Sequence, residues 1–112
     1  MELLEELPVI HANGISVIQL LHGDLSAIPP EHAVDIIVVS AYPNDYEPLP
    51  DTLVGALYER GLDLYALAEH KAVDMTMQLG CWLSDELPIP LQQRLNTKRI
   101  VSFEPRVLSN KP

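Results

Sequence analysis

The sequence contains a single cysteine, Cys81, and no long hydrophobic run. One thiol cannot form an intramolecular disulfide, and it excludes any zinc site that is built from several cysteines. No apolar segment approaches the roughly 20 residues that span a bilayer. The first residues, MELLEEL, are acidic where a secretory signal would be basic. We therefore expect a cytoplasmic protein without a membrane partner.

Basic residues are also scarce in this chain. Seven Lys and Arg residues stand against 16 Asp and Glu residues, which gives a formal net charge of -9. This negative charge repels nucleic-acid backbones and anionic lipid, so we expect no polymeric nucleic acid as a partner. A small anion such as a nucleotide remains compatible with the charge, because backbone N–H groups alone can hold a phosphate.

Motifs that bind cofactors or metals are absent from the sequence. It has no Walker loop and no GxGxxG turn, and its histidines lack the i, i+4 spacing or the Cys neighbours of a zinc site. The histidines are His11, His22, His32 and His70. A thiol triad of Cys81, His70 and Asp74 is the alternative to a packed Cys81 side chain, and the apolar neighbours of Cys81 favour packing. We expect no metal, no cofactor and no catalytic residue.

The composition is that of a folded chain. Hydrophobic residues make up 47% of the 112 residues and charged residues 21%. Such a chain folds around a core, and its length suits one domain. We predict a single α/β domain over residues 1–104 and a flexible tail, PRVLSNKP, over residues 105–112.

Two apolar segments have the character of buried strands. Residues 15–21, ISVIQLL, are rich in β-branched and aliphatic side chains and lie between Gly14 and Gly23. Residues 34–40, VDIIVVS, run apolar without alternation, which is typical of an interior strand covered on both faces. The connection, GDLSAIPPEHA over residues 23–33, is predicted to be a loop with at most one helical turn. Its length is compatible with a crossover or with a wide hairpin.

Two helices are predicted after the second strand. Asp51 or Thr52 is the expected cap of the first helix, which ends at Gly61. The second helix is expected to begin at Asp63, and its apolar residues recur at helical spacing as far as Met75.

The last third of the chain is predicted to return to the sheet. Residues 77–83, MQLGCWL, are either the end of the second helix or a strand. Residues 92–96, QQRLN, are predicted to form a short turn of helix. Residues 98–104, KRIVSFE, are predicted to form the final strand. This order indicates a three-layer α/β pattern that is cut short, with helices sufficient for one face of the sheet.

The loop after Ser40 is the predicted location of a binding site. Ligands of open α/β sheets collect at the carboxyl ends of strands, and this loop offers polar groups such as Asn44. The alternative is a proline-rich connector whose polar residues face water. Asp24 would reach the same edge if the two strands are parallel, and its alternative role is to cap the turn over residues 25–28.

Residues 23–26, GDLS, and residues 34–42, VDIIVVSAY, resemble the GD turn and the following strand and loop of a macro domain. With the helix near residues 52–60, the resemblance covers less than half of the chain. It implies a macro-like mixed sheet with flanking helices, minimal or truncated, that binds ADP-ribose. It also implies that the adenine lies beside Asp24 and a ribose or phosphate near the loop after Ser40.

The chain departs from that family at two asparagines that orient the distal ribose. Val39 and Tyr42 occupy their positions, and no Gly-rich phosphate loop follows. ADP-ribosyl hydrolysis is therefore not expected.

The resemblance predicts a non-enzymatic module that senses ADP-ribose or a related nucleotide within a bacterial signalling or defence protein. Its expected ligand-binding residues are Asp24, Ser40, Tyr42, Asn44 and Thr52. The alternative is a structural interaction or oligomerisation domain without a small-molecule ligand. An incomplete sheet leaves an apolar face and an unpaired edge, which a second copy or a partner domain would cover.

Overall fold

A hairpin of two long strands forms the N-terminal part of the computed structural model, which describes residues 1–105. Strand β1 (Glu2–His11) pairs antiparallel with β2 (Gly14–His22), and the two form a sheet of their own. Gly14 has a φ of 132°, which a glycine adopts without a steric penalty. Every residue of the two strands is exposed except Leu21, which is half-buried.

The hairpin corrects two expectations from the sequence. Residues 15–21 do form a strand, but it is exposed rather than buried, because its one partner in the described chain is β1. Strand β1 itself was not predicted. A bulge between Leu3 and Glu5 shifts its register by one residue, and residues 7–10, LPVI, are consecutive apolar residues, so the strand lacks the alternation of apolar and polar residues by which a strand is recognised.

The other strands of residues 1–105 form a four-stranded mixed sheet. They are β3 (Val34–Ser40), β4 (Lys71–Met75), β5 (Cys81–Ser84) and β6 (Thr97–Phe103). Their order is β3-β6-β5-β4, with β3 parallel to β6 and the other neighbours antiparallel. The strands predicted over residues 34–40 and 98–104 are confirmed. Because β2 and β3 belong to different sheets, the segment between them, with a 3₁₀ turn at Pro30–His32, is neither a crossover nor a hairpin.

Four α-helices occur in the described part of the chain. They are α1 (Leu53–Glu59), α2 (Leu64–Ala68), α3 (Thr76–Leu79) and α4 (Ile89–Leu95). Thr52 caps α1, Gly61 follows it with a φ of 98°, and Asp63 caps α2, as the sequence predicts. Helix α4 contains most of the predicted helical turn over residues 92–96.

The second predicted helix is shorter than expected. Helix α2 ends at Ala68, and Ala72 and Met75 lie in β4, so the helical spacing of apolar residues beyond Ala68 was misleading. Within residues 77–83, β5 confirms the strand from Cys81 onward, whereas α3 is a separate helix after β4 and not the end of the second predicted helix. Gly80 has a φ of 66° and ends α3 in the left-handed conformation.

Helices cover one face of the four-stranded sheet. The side chains on this face join the core with residues of three helices. The core includes Ile37, Val39, Trp82 and Ile100 from the strands and Val54, Leu57, Leu64 and Leu95 from α1, α2 and α4. Strands and helices alternate from β3 onward, so the α/β class is as predicted, although the described strands form two sheets and not one.

The opposite face of the same sheet lies in water, and we call it the open face. Cross-strand partners share a face, so the pairing register identifies its members. Its members in contact with water are Val34, Ile36, Val38, Ser40, Val73, Met75, Cys81, Leu83, Arg99, Val101 and Phe103, whereas Thr97, the partner of Val34, is buried. The expectation that β3 is covered on both faces was wrong: Ile37 is 3% exposed but Val38 is 58% exposed.

The structure can be compared with only part of the predicted division into a domain, residues 1–104, and a tail, residues 105–112. The elements described above all fall within residues 1–104. Of the predicted flexible tail, residues 106–112 lie outside the described residues.

Candidate functional site

A concavity of about 400 Å³ lies beside the carboxyl ends of β3 and β6. Its lining residues are Ser40, Ala41, Tyr42, Asp45, Glu47, Leu49, Thr52, Val54, Phe103 and Pro105. Three of the predicted site residues, Ser40, Tyr42 and Thr52, are therefore brought together by the structure. The other two, Asp24 and Asn44, are not among the lining residues.

The charge of this concavity is negative. Two carboxylates, those of Asp45 and Glu47, belong to the lining, and no Lys or Arg of residues 1–105 does. A phosphate placed here would meet charges of its own sign in a partly water-excluded site. The remaining lining is mostly apolar or aromatic, which favours a ligand with a flat apolar group and little negative charge.

Asn44 shapes the loop through its backbone. It has a φ of 59° in the left-handed region, which asparagine tolerates better than most residues. The turn is closed by a hydrogen bond of 3.0 Å from the Asp45 N–H to the Tyr42 carbonyl. The Asn44 N–H donates to Oε1 of Glu104 at 3.3 Å. Asn44 thus fixes the path of the loop beside the concavity.

Thr52 uses its hydroxyl to hold the loop on α1. Its Oγ1 accepts a hydrogen bond from the Gly55 N–H at 3.0 Å and donates one to the Leu49 carbonyl at 2.7 Å. The first bond satisfies a helix-start donor and the second ties the loop to the same helix end. The hydroxyl proton is therefore already used within the chain.

Asp24 forms a local turn. Its Oδ1 accepts hydrogen bonds from the Ser26 N–H at 2.8 Å and the Ser26 hydroxyl at 2.7 Å. These bonds hold the pKa of Asp24 below its ordinary value, with a smaller contribution from the charge of Arg60. Arg60 follows the C-terminal end of α1, whereas Thr52 caps its N-terminal end.

The predicted rim shared by Asp24 and the loop after Ser40 requires β2 and β3 to be parallel neighbours. They belong to different sheets, so their carboxyl ends do not meet at one edge. The alternative reading of Asp24, as the cap of a turn, is the one that its hydrogen bonds support.

A buried carboxylate lies beneath the concavity, and sequence reasoning missed it. Glu104 is 4% exposed and directly follows β6. Its Oε2 accepts hydrogen bonds from the Tyr46 hydroxyl at 2.7 Å, the Ser102 hydroxyl at 2.6 Å and the Trp82 indole N–H at 2.5 Å. With the Asn44 N–H on Oε1, donors from the loop, β5 and β6 converge on one carboxyl group. We call Tyr46, Trp82, Ser102 and Glu104 the buried network.

The aromatic members of the buried network also pack on each other. The rings of Tyr46 and Trp82 meet edge to face with centroids 6.0 Å apart, and Tyr46 meets Tyr65 in the same way at 5.2 Å. Burial raises the pKa of Tyr46 well above its ordinary value, and the hydrogen bond to Glu104 raises it further. The network therefore anchors the loop to the sheet and keeps the Tyr46 phenol protonated.

The sequence contained one weak signal for this network. Ser102 occupies the buried face of β6 beside the apolar Ile100, which indicates a polar partner below the surface. The partners come from positions 46, 82, 102 and 104, and no local pattern connects them.

Comparison with known proteins gives no further guide to the site. No family model, no curated protein and no solved structure matches this chain. Among residues 1–105, no three His, Cys, Asp or Glu side chains are grouped so that they could hold a metal ion. No helix in that same stretch has the length and apolar character needed to cross a bilayer.

Proposed function

We propose that this chain is a non-catalytic oligomerisation module that associates through the open face of its four-stranded sheet. The observation that carries the proposal is the continuity of apolar side chains across all four strands of that face. On β3 alone, Ile36 is 46% and Val38 is 58% exposed, and on β4 Val73 is 46% exposed. Exposed apolar patches of this extent mark interaction surfaces in soluble proteins.

The free energy available at this face is large enough to drive association. Covering a fully exposed Val, Leu, Ile, Phe or Met side chain contributes about 1.5–3 kcal/mol. The six most exposed apolar members of the open face are Val34, Ile36, Val38, Val73, Met75 and Phe103. Since each is roughly half-exposed, their burial would contribute on the order of 5–8 kcal/mol before the entropy of association is subtracted.

Two charge variants with matched exposure test this function. Val38→Glu places a carboxylate in the middle of the open face, whereas Tyr58→Glu places one on the exposed side of α1, where the side chain is 52% exposed. We expect wild-type protein and Tyr58→Glu to show a mass above that of one chain by light scattering, and Val38→Glu to show less association. Equal masses for all three, with unchanged circular dichroism, would contradict the proposal.

A second candidate function is the binding of a nucleoside-like ligand in the concavity. It is favoured by the position of the concavity at the carboxyl ends of β3 and β6 and by its aromatic and apolar lining. With the resemblance of residues 23–42 to macro domains, this makes ADP-ribose the first ligand to test, with its adenosine in the concavity and its diphosphate outside, away from Asp45 and Glu47. In this reading the chain is a macro-like sensing module of a bacterial signalling or defence protein, and its single thiol suits the cytoplasm.

Calorimetry distinguishes this second function from the first. Titration of ADP-ribose into wild-type protein is expected to release heat that is reduced in Tyr42→Ala, because Tyr42 lines the concavity with its side chain 76% exposed. Tyr58→Ala is the control outside the concavity. The absence of heat at millimolar ligand would exclude the sensing function and leave oligomerisation unaffected.

A further inference from the structure

The N-terminal hairpin, residues 2–22, is apolar on both of its faces, and we call it the arm. Its pairing register places Leu7 opposite Ile18 on one face and Ile10 opposite Ile15 on the other. Both faces lie in water: Ile10 is 84% exposed and Ile18 is 59% exposed. A two-stranded ribbon on its own is marginally stable at best, so the arm needs a cover that the described part of its own chain does not supply.

The arm and the open face meet in one cleft. A cavity of about 550 Å³ is lined by Leu20 and Leu21 from the arm and by Val34, Ile36 and Val38 from β3. The two uncovered apolar surfaces are therefore continuous. An occupant of the cleft would contact the arm and the sheet at the same time.

We propose that the occupant is the arm of a second copy of this chain, so that two copies exchange arms across a two-fold axis. Each arm lies on the open face of the partner subunit. This inference rests on the oligomerisation function proposed above and names its partner and its contact. In a two-fold exchange, the open face and one face of the arm of each copy are covered by one contact that occurs twice, and the assembly closes at a dimer.

The area available supports a stable dimer. Nine large apolar side chains of the arm are exposed, namely Leu3, Leu4, Leu7, Val9, Ile10, Ile15, Val17, Ile18 and Leu20. Six of the open face are exposed, as given above. Each face of the arm presents four of these nine residues, so burying the exposed parts of one arm face and of the open face removes on the order of 700 Å² of apolar surface per copy, or about 1,400 Å² for the pair. Stable interfaces bury about 1,200–2,000 Å² in total.

The charges also suit this contact. Arg99 is the charged member of the open face, and its guanidinium donates to the Ser84 carbonyl at 3.3 Å. The arm carries Glu2, Glu5 and Glu6, all of them exposed. An arm on the open face of the partner subunit would bring these carboxylates toward the one cation of that face. The remaining contact is apolar against apolar.

The native thiol offers a direct test of arm exchange. Cys81 lies on the open face in β5, and it is the only cysteine of the chain. Val9→Cys and Ile10→Cys each place a second thiol on the arm, one on each face. Copper-catalysed oxidation by dissolved oxygen should form a disulfide between the arm thiol of one copy and Cys81 of the other. We expect this only in the variant whose new thiol lies on the arm face that contacts the sheet. Tyr58→Cys, on α1, is the matched control.

The expected result is a covalent dimer in one arm variant that is lost when Cys81→Ser is added, while Tyr58→Cys gives none. Circular dichroism of each variant establishes that it is folded. An oligomer without any link through Cys81 would overturn arm exchange and leave the oligomerisation function standing. A link within one chain would show that the arm folds onto its own sheet, and a monomer at every concentration would overturn both proposals.

Discussion

Glu104 shows how one side chain fixes the loop beside the concavity. It is nearly fully buried, and no salt bridge formed within residues 1–105 includes it. A carboxylate in this position is stabilised by hydrogen bonds alone, each of which contributes about 1.5–3 kcal/mol when one partner is charged. Three of the donors converge on a single oxygen, Oε2.

Replacing this carboxylate by an amide should destabilise the fold. In Glu104→Gln, the amide N–H₂ must face groups that are themselves donors, because Tyr46, Trp82, Ser102 and the Asn44 N–H all donate to the carboxylate. We expect the free energy of unfolding in urea to fall by about 1–3 kcal/mol. Glu59→Gln, an exposed glutamate at the end of α1, should change it by less than about 0.5 kcal/mol. Similar losses in both variants would count against the buried network.

Tyr46 gives the network a pH dependence on the alkaline side. The pKa of Tyr46 is raised in the folded state above its ordinary value of 10.0, first by burial and then by the bond to Glu104. Above pH 10 the unfolded chain loses this proton while the folded chain keeps it, so the free energy of unfolding falls as the pH rises. Below pH 10 both states hold the proton and this contribution to stability is fully present.

The expected slope from this single proton is about 1.4 kcal/mol per pH unit above about pH 10. Urea unfolding across the alkaline range measures it. In Tyr46→Phe, the slope should be smaller by this amount, although the variant is less stable at neutral pH because it lacks the bond to Glu104. The same alkaline slope in both proteins would show that Tyr46 is not the group that titrates.

At the scale of elements, the start of α1 depends on a close approach of the loop. A Cβ on Gly55 would collide with the Leu49 carbonyl oxygen, which accepts the Thr52 hydroxyl. Alanine normally stabilises a helix relative to glycine by up to about 1 kcal/mol. At Gly55 the backbone of the loop would have to move and the cap would be lost. We therefore expect alanine to destabilise the fold here instead of stabilising it.

We expect Gly55→Ala to lower the free energy of unfolding by about 1–3 kcal/mol. Gly23→Ala is the matched control, since a Cβ there meets the flexible side chain of Met1 first. The control should be within about 0.5 kcal/mol of wild type. Thermal unfolding of the three proteins measures the difference, and a stabilised Gly55→Ala would refute the close approach.

The elements also show what the sequence could predict. β3, β6 and α1 are marked by local signals: an apolar run, an alternating run, and a capping Thr52 with Gly61 beyond the helix end. β4 was read as helix because its pairing with β5 is a contact between distant residues, and its own apolar spacing is ambiguous.

In the candidate site, too, the features that depend on neighbouring residues could be predicted and those that depend on distant contacts could not. Ser40, Tyr42 and Thr52 belong to one loop and its flanks, so their proximity follows from chain connectivity. The buried network joins positions from two strands and a loop, and only the folded sheet brings them together. Asp24 was assigned to the same edge on an assumed pairing that the sheet order does not contain.

At the scale of the whole molecule, the sequence and the structure differ in where apolar residues lie. The apolar residues of 15–21 and 34–40 were expected in the interior of one sheet. The structure leaves β2 exposed and β3 exposed on one face. Strands that are covered by a second copy carry the same apolar pattern as strands covered within one chain. Association would therefore reconcile the sequence pattern with the burial that one chain provides.

The mass of the wild-type protein in solution tests this account most directly. Sedimentation equilibrium over a range of concentrations gives that mass without reference to shape. We predict a mass that rises from that of one chain toward twice that value and stops there, because exchanged arms close the assembly. A mass equal to one chain at every concentration would contradict the account, since the arm and the open face would then remain uncovered.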